Sequence, residues 1–373
     1  MLKGIHLTLM AGPLVPVPAP QPVVDALDSA QVTVSAGQRT GFQLSFGLSK
    51  ESLISRALLP SGFFDPNIRV ILMATINGLP SVLIDGLITR QEVTPSNEPG
   101  QAKLTVTGED VSLAMDLTKV KGVSYPAMPP EVRVALIVAK YARYGMIPLP
   151  IPSIFPDIPN PVERIPQHEG TDLEYVKKLA DELGYVFYVD SGPAPGVNFA
   201  YFGPEIRVGV PQPALNVNMD AHTNVESLSF SYDGLSAVQP AIMIQEPITK
   251  ISIPIPVPNV SLLRPPLAAR PAMALKFEEL ETARLSPARA ILRGLGEKAK
   301  SSDSITGSGQ LNVLRYGRVL KARQLVGVRG AGMAYDGLYY VKSVTHNLKR
   351  GEYKQSFTLV REGLISLVPN VIP

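Results

Sequence analysis

The chain has no cysteine among its 373 residues. That excludes disulfides, thiolate zinc sites, Fe–S clusters and a cysteine nucleophile, and it suits assembly in a reducing compartment such as the bacterial cytoplasm. Charge of one sign is also scarce. The formal net charge is +3, and no dense Lys/Arg face with interleaved aromatics occurs, so no nucleic-acid partner is expected. No apolar run reaches the roughly 18 residues a membrane helix needs; the longest candidate, Val132 to Ala142, is broken by Arg133 and Lys140, and no membrane insertion is expected. The first residues, Met1-Leu-Lys-Gly-Ile-His6, lack the pattern of a secretory leader.

Common catalytic signatures are missing too. The four histidines, His6, His168, His222 and His346, have no metal-ligand spacing. There is no G-x-S-x-G elbow, Walker A loop or dinucleotide fingerprint. Gly327-Val-Arg-Gly-Ala-Gly332 is glycine-rich but joins strand to strand, whereas a dinucleotide loop must open a helix. His168 beside Glu169 could be a catalytic pair, but helix-entry polarity explains it more simply. His346 and Asp336 read as strand-end and turn residues. The carboxylate pairs Glu109-Asp110, Asp181-Glu182 and Glu278-Glu279 read as strand-end or solvated-face groups. No metal and no cofactor is expected.

What is abundant is proline, 36 residues in clusters, within a chain that is 45% hydrophobic and so can build a sizeable core. Residues 13–22 alternate proline with small apolar residues. Proline has no backbone donor, so this is an extended arm, able to dock at a sheet edge but not to be a central strand. Residues 147–166 and 240–271 are similar, and serve either as extended contacts to partners or as surface loops. Between them, 30–115 reads as β: Val32 and Val34 alternate, then Phe42, Leu44 and Phe46, and Asn77-Gly78 marks a tight hairpin. Residues 131–145 read as a helix with Val132, Leu136 and Ala139 on one face. Thr171-Asp-Leu-Glu174 is a capping box, Leu173, Val176, Leu179, Ala180 and Leu183 form the apolar stripe behind it, and Gly184 stops the helix before the strand Tyr185 to Val189. Val225, Leu228, Phe230 and Tyr232 restart β with a slip near Glu226 that suggests a bulge. Residues 272–300 read as a helix interrupted at Pro287, and β resumes over 311–361.

Two windows share a pattern. Arg69 to Met73, the Asn77-Gly78 turn, Val82 to Thr89 and Gly100 to Glu109 run as strand, turn, long strand ending in Thr, linker, alternating strand. Gln324 to Val328, the turn at Arg329 to Met333, Gly337 to Thr345 and Gly351 to Glu362 run the same way. The pattern alone does not separate a duplication from two unrelated meanders.

Three ordered stretches carry a resemblance. Tyr335-Asp336-Gly337-Leu-Tyr339, then Val341 to His346, then Arg350 to Tyr353 through Phe357 to Arg361 form the first. Gln167 to Tyr188, with Thr171, Asp172, Leu173, Gly184 and Tyr185, is the second, and Val313 to Leu320 the third. Together they resemble the late-control protein D family, the tail hubs of contractile phages and extracellular contractile injection systems, similar to the N-terminal part of VgrG. The third stretch resembles the hubs of extracellular systems in particular.

The resemblance implies a mainly β, α+β fold with two tube-like antiparallel β-barrels per chain. It also implies a homotrimer whose six barrels join a hexameric inner tube to a trimeric spike, and a place in a phage tail or tail-like particle. The expected division is a first barrel domain over 1–117 with its Pro-rich arm, a small α/β domain over 118–204, a second barrel from 205–240 and 306–373, and a Pro-rich and helical insert over 241–305. VgrG chains continue into a spike; this sequence does not, so the spike is expected to be a separate protein. The implied partners are the chain itself, the inner tube protein, that spike and other baseplate proteins. No enzymatic activity is expected. The alternatives are a cell-wall or carbohydrate hydrolase using carboxylates, or a monomeric ligand-binding β-protein.

Overall fold

In the computed structural model, residues 4–98, 101–153, 158–159, 161–162, 165–245, 252–257, 264–280, 282, 287–368 and 371 are described. The Met1 start, Gly100 and parts of the 147–166 and 240–271 stretches lie outside these residues.

The first unit contains β1 (Ile5–Gly12), β2 (Val17–Pro18), helix α1 (Gln21–Ala26), β3 (Leu27–Ser35), β4 (Gly41–Gly47), β5 (Arg69–Ile76), β6 (Leu79–Thr94) and β7 (Lys103–Asp110). Alternation places Val32, Phe42, Leu44, Phe46, Leu104 and Val106 inside. The β5–β6 hairpin turns on Asn77 and Gly78, both with positive φ, as a two-residue loop requires. The proline arm follows its own chain: β2 pairs with Met10 and Ala11 of β1.

The middle of the chain forms β8 (Lys119–Ser124), α2 (Pro130–Ala139), β9 (Met146–Pro150), β10 (Gln167–Thr171), α3 (Asp172–Leu183), β11 (Val186–Ser191) and β12 (Asn198–Gly203). It has its own core, in which Ile137, Val138, Leu173, Val176, Leu179 and Phe202 meet.

The second unit runs through β13 (Gln212–Asn216) and β14 (Val225–Tyr232). An insert then carries β15 (Val238–Gln245), β16 (Ser252–Pro256), β17 (Ala268–Pro271), β18 (Lys276–Leu280) and α4 (Pro287–Ser301). The unit resumes with β19 (Ile305–Asn312), α5 (Val313–Tyr316), β20 (Leu325–Arg329), β21 (Gly337–Lys349), β22 (Glu352–Arg361) and β23 (Gly363–Ser366).

The two units repeat one topology. The first has sheet order β1-β5-β6-β7-β4-β3 and the second β13-β20-β21-β22-β19-β14, the same order in space and along the chain. Irregularities coincide as well. The β3–β4 pair is bulged between Leu27 and Ser29, and β14–β19 between Val225 and Ser227. The β6–β7 pair is bulged between Ile88 and Arg90, and β21–β22 between Val341 and Ser343. Asn67 and Arg323, just before β5 and β20, both have positive φ. One strand differs: β1 is antiparallel to β5, whereas β13 is parallel to β20. The units join where β3 pairs with the C-terminal half of β21, giving a continuous sheet of 13 strands over one shared core.

The fold is mainly β with few helices, as expected; among the described residues no closed barrel is found, and each unit is a stretch of the shared sheet. Other expectations are corrected. On α2 the buried face is Val134, Ile137 and Val138, while Val132 and Leu136 are 45% and 49% exposed; helical spacing permitted either stripe, and the α/β core selected one. Pro287 begins α4 rather than interrupting it, as suits a residue with no amide to donate in the first turn. Residues 276–280, read as helical, form β18. Much of the described part of the second proline-rich stretch is strand: β15 pairs with β16 and β18, and β17 with β23, whereas 264–267 is not strand.

Candidate functional site

Two of the sequence signatures fold into separate buried clusters. Thr171 caps α3: its hydroxyl accepts from the Glu174 amide (3.1 Å), and the Glu174 carboxylate accepts from the Thr171 amide (2.8 Å). Such a box stabilises a helix by about 1 kcal/mol. The same hydroxyl donates to Asp116 (2.6 Å), tying the helix to the end of the first unit. Asp172 is buried and accepts from Tyr141 Oη (2.8 Å) and Lys140 Nζ (3.2 Å). Burial, with Asp172 beside it, pushes the Tyr141 hydroxyl well up. Leu173 lies in the core.

Gly184 has φ 64° and ends α3 in the left-handed region. A Cβ there would fall 2.4 Å from the Leu292 carbonyl of α4, so glycine is needed for helix contact as well as for termination. Tyr185 is buried and meets Phe202 edge-on at 5.5 Å.

His168 is buried, stacked on Tyr175 at 4.4 Å, with Asp172 at 3.4 Å. Its carboxylate neighbour is thus Asp172, not the exposed Glu169. Arg133, read as a break in an apolar run, is fully buried beneath this stack. It donates to Tyr175 Oη (2.7 Å), while its Nε and Nη2 have no hydrogen-bond partner among the described residues.

The C-terminal signature builds the second cluster. Tyr339 is buried, and its hydroxyl donates to the Tyr335 carbonyl (2.7 Å). Tyr335 stacks on Phe230 at 5.0 Å. The Asp336 carboxylate accepts from the Ala331 amide (2.8 Å) and so holds the turn. Gly337 has φ 110°, and a Cβ there would lie 2.1 Å from Ser366 Cβ. Arg361 lies over the Tyr339 ring at 4.3 Å and donates to the carbonyls of Gly363, Asp336 and Ala334. Arg361 closes the signature stretch in sequence, but its burial is not legible there, although it is in phase with the inward Tyr353, Phe357 and Leu359.

His346 is not at a strand end. It sits within β21, buried, opposite Val32 of β3. Burial lowers its pKa to about 4, so it is neutral and Nδ1 can accept from Tyr353 Oη at 2.7 Å. Burial likewise raises the Tyr353 hydroxyl. Phe357 packs in the shared core.

Buried charges bind the parts together. Arg69 and Asp85 form a two-pronged pair (2.7 Å each), and Asn198 of the α/β unit donates to the same carboxylate (2.8 Å). Arg207 grips Asp303 in the same way (2.7 Å each). Arg323 lies over Tyr188 at 4.1 Å, pairs with Asp190, and donates to the Ser35 carbonyl (3.0 Å). It borders a cavity of about 390 Å³ that Glu205 and Tyr340 also line. Among the described residues no cluster of candidate metal ligands occurs, and no helix is long and apolar enough to cross a membrane.

The surface offers backbone instead. Among the described residues β14 pairs only with β19, and past Ile88 the long strand β6 pairs only with β7. On these free edges Val93 is 49% and Tyr232 is 45% exposed. The insert exposes Met273, Leu275 and Phe277.

No family model matches the sequence, and no curated protein matches it. Solved structures do. The chain is similar to the 43 kDa tail protein of prophage MuSo2 from Shewanella oneidensis, with a TM-score of 0.63 at 14% identity over 96% of this chain and 98% of that one. It is similar to a tail protein from Neisseria meningitidis, with a TM-score of 0.61 at 13% identity over 97% and 98%. A component of the type VI secretion system of E. coli gives a TM-score of 0.52 at 13% identity over 93% and 77%. The chain has the fold of these tail proteins, and the likeness is one of fold.

Proposed function

We propose that the chain is the structural hub of a contractile injection system baseplate. In this reading it is a homotrimer whose two units per chain make a pseudo-six-fold ring, joining a hexameric inner tube to a trimeric spike. The observation that carries the reading is the pairing of two units of identical strand order, with coincident bulges, in one continuous sheet. A six-fold tube and a three-fold spike cannot both match one set of identical surfaces, and a doubled unit on a three-fold axis can meet each. The fold shared with phage tail and type VI secretion proteins supports the same reading.

The partners are then the tube protein, the spike and other baseplate proteins, in a phage tail or tail-like particle assembled in the bacterial cytoplasm. A structural rather than enzymatic role is supported by the way buried charges are used: Arg69 with Asp85 and Arg207 with Asp303 each lock one segment to another, and buried Asp172 is held by the exposed Lys140. Sedimentation of the purified chain, alone and with tube and spike proteins, tests the proposal. A trimer, or one formed on adding them, is expected; a stable monomer that binds neither would sink it.

A further inference from the structure

The junction inside the chain contains the design of a junction between chains. β21 runs past the end of its pairing with β20, and that overhanging half pairs with β3, from Ser343 opposite Ser35 to Lys349 opposite Ser29. The coincident bulges fix the equivalences residue by residue. Val341 corresponds to Ile88, because each opens the bulge toward its neighbour, so Ser343 to Asn347 correspond to Arg90 to Thr94. Leu27 corresponds to Val225, so Gln31 to Ser35 correspond to Ser229 to Asp233. In the first unit β6 also overhangs β5, whose pairing ends at Leu87, yet among the described residues its overhanging half has no second strand neighbour. In the second unit β14, the counterpart of β3, is an edge. Among the described residues the chain therefore carries one filled junction and the two unfilled halves of another.

We propose that these halves meet between two copies of this chain: residues 90–94 of one copy add antiparallel to residues 229–233 of the next. The inference rests on the self-assembly part of the hub reading and gives it an address and a register. Copying the internal register sets Arg90 opposite Asp233, Gln91 opposite Tyr232, Glu92 opposite Ser231, Val93 opposite Phe230 and Thr94 opposite Ser229.

The chemistry of these pairs is complementary although the register was taken from backbone alone. Arg90 meets a carboxylate. Glu92 meets a hydroxyl, where the internal junction sets Thr345 beside Thr33 with their hydroxyls 3.1 Å apart. Val93 meets Phe230, where the internal junction buries His346 against Val32. Opposed pairs of these kinds stabilise antiparallel strands, and a one-residue slip would turn Val93 away from the core face. Within 90–94 and 229–233 there is neither proline nor an inward charge of the kind that usually blunts a free strand, and Gln91 is held by Asp65 at 3.1 Å, which fixes the first edge in place. The contact is heterologous, so each copy offers one edge and accepts another, and the chain of contacts closes into a ring or continues as a filament.

The absence of cysteine makes the test clean. Glu92→Cys and Ser231→Cys, both at exposed positions, are placed together in the full-length chain and oxidised. Directly opposed Cα atoms lie within disulfide reach, whereas a partner two residues along is about 7–8 Å away. Covalent species ending at a trimer are expected, with at least tenfold less product from Glu92→Cys with Ser229→Cys. Equal product from both pairs overturns the register. No cross-link in a protein that still sediments as a trimer overturns this interface and leaves the hub reading standing. Cross-linked ladders that run past three keep the interface and overturn the trimer; a monomer without cross-links removes both. As a check that does not depend on oxidation, Asp233→Arg should weaken self-association at least tenfold, and adding Arg90→Asp should restore it. Failure of the double variant to recover counts against the pairing.

Discussion

The hydroxyls of Thr33 and Thr345 lie 3.1 Å apart across the strand pair that joins the two units. One pair along, Val32 faces His346, both buried. Because this seam is internal to the chain, weakening it should cost stability without changing assembly. Val32→Ala is expected to lower the unfolding free energy by roughly 1–3 kcal/mol, with sedimentation unchanged at low denaturant. A loss under about 0.5 kcal/mol, the range of surface substitutions, would mean that the seam is not packed as described.

His346 makes the same seam sensitive to acid. Its pKa is lowered from 6.5 to about 4 by burial. The unfolded chain therefore takes up this proton first, so the stability that depends on a neutral imidazole is whole above pH 6.5 and declines as pH falls toward 4. The full loss is roughly 3 kcal/mol. Urea titrations of the wild type and His346→Gln at a series of pH values between these limits should give a steeper decline for the wild type. Parallel profiles would assign the acid sensitivity elsewhere.

Gly296 offers a reversal of sign. Alanine in a helix interior is ordinarily favoured over glycine by about 1 kcal/mol. In α4, however, a Cβ at Gly296 would stand 2.3 Å from the Cα of Gly184, backbone that cannot give way. Gly296→Ala should therefore destabilise by roughly 1–3 kcal/mol and open the insert to limited proteolysis. A rise in melting temperature would show that α4 does not lean on the end of α3.

The parts of this structure legible in sequence are those set by local chemistry. The capping box at Thr171, the left-handed stop at Gly184, the Asn77-Gly78 turn and the slip at Glu226 each follow from what a few neighbouring residues can do with their own backbone. What stayed hidden depends on partners far along the chain. Val132 and Leu136 have the right spacing for a buried stripe, but the α/β core took Val134, Ile137 and Val138 instead. Arg361 and Arg133 are charged residues in the interior, one satisfied by three carbonyls and the other bonded through Nη1 to a single tyrosine hydroxyl. His346 was misplaced because strand ends cannot be read from composition. The likeness of the two units is clearest in strand order and bulges, since paired positions such as Gln355 and Leu104 share burial without sharing chemistry.

The insert enters between β14 and β19, the place held in the first unit by the short turn between β3 and β4. One hairpin tip is bare and its twin bears an extra sheet and a helix. In a ring of alternating units the rim would thus carry a tooth at every second position. A protein gripping the ring from outside would feel three teeth where the strands beneath repeat six times, and could seat itself in only half of the rotational settings a uniform rim would allow.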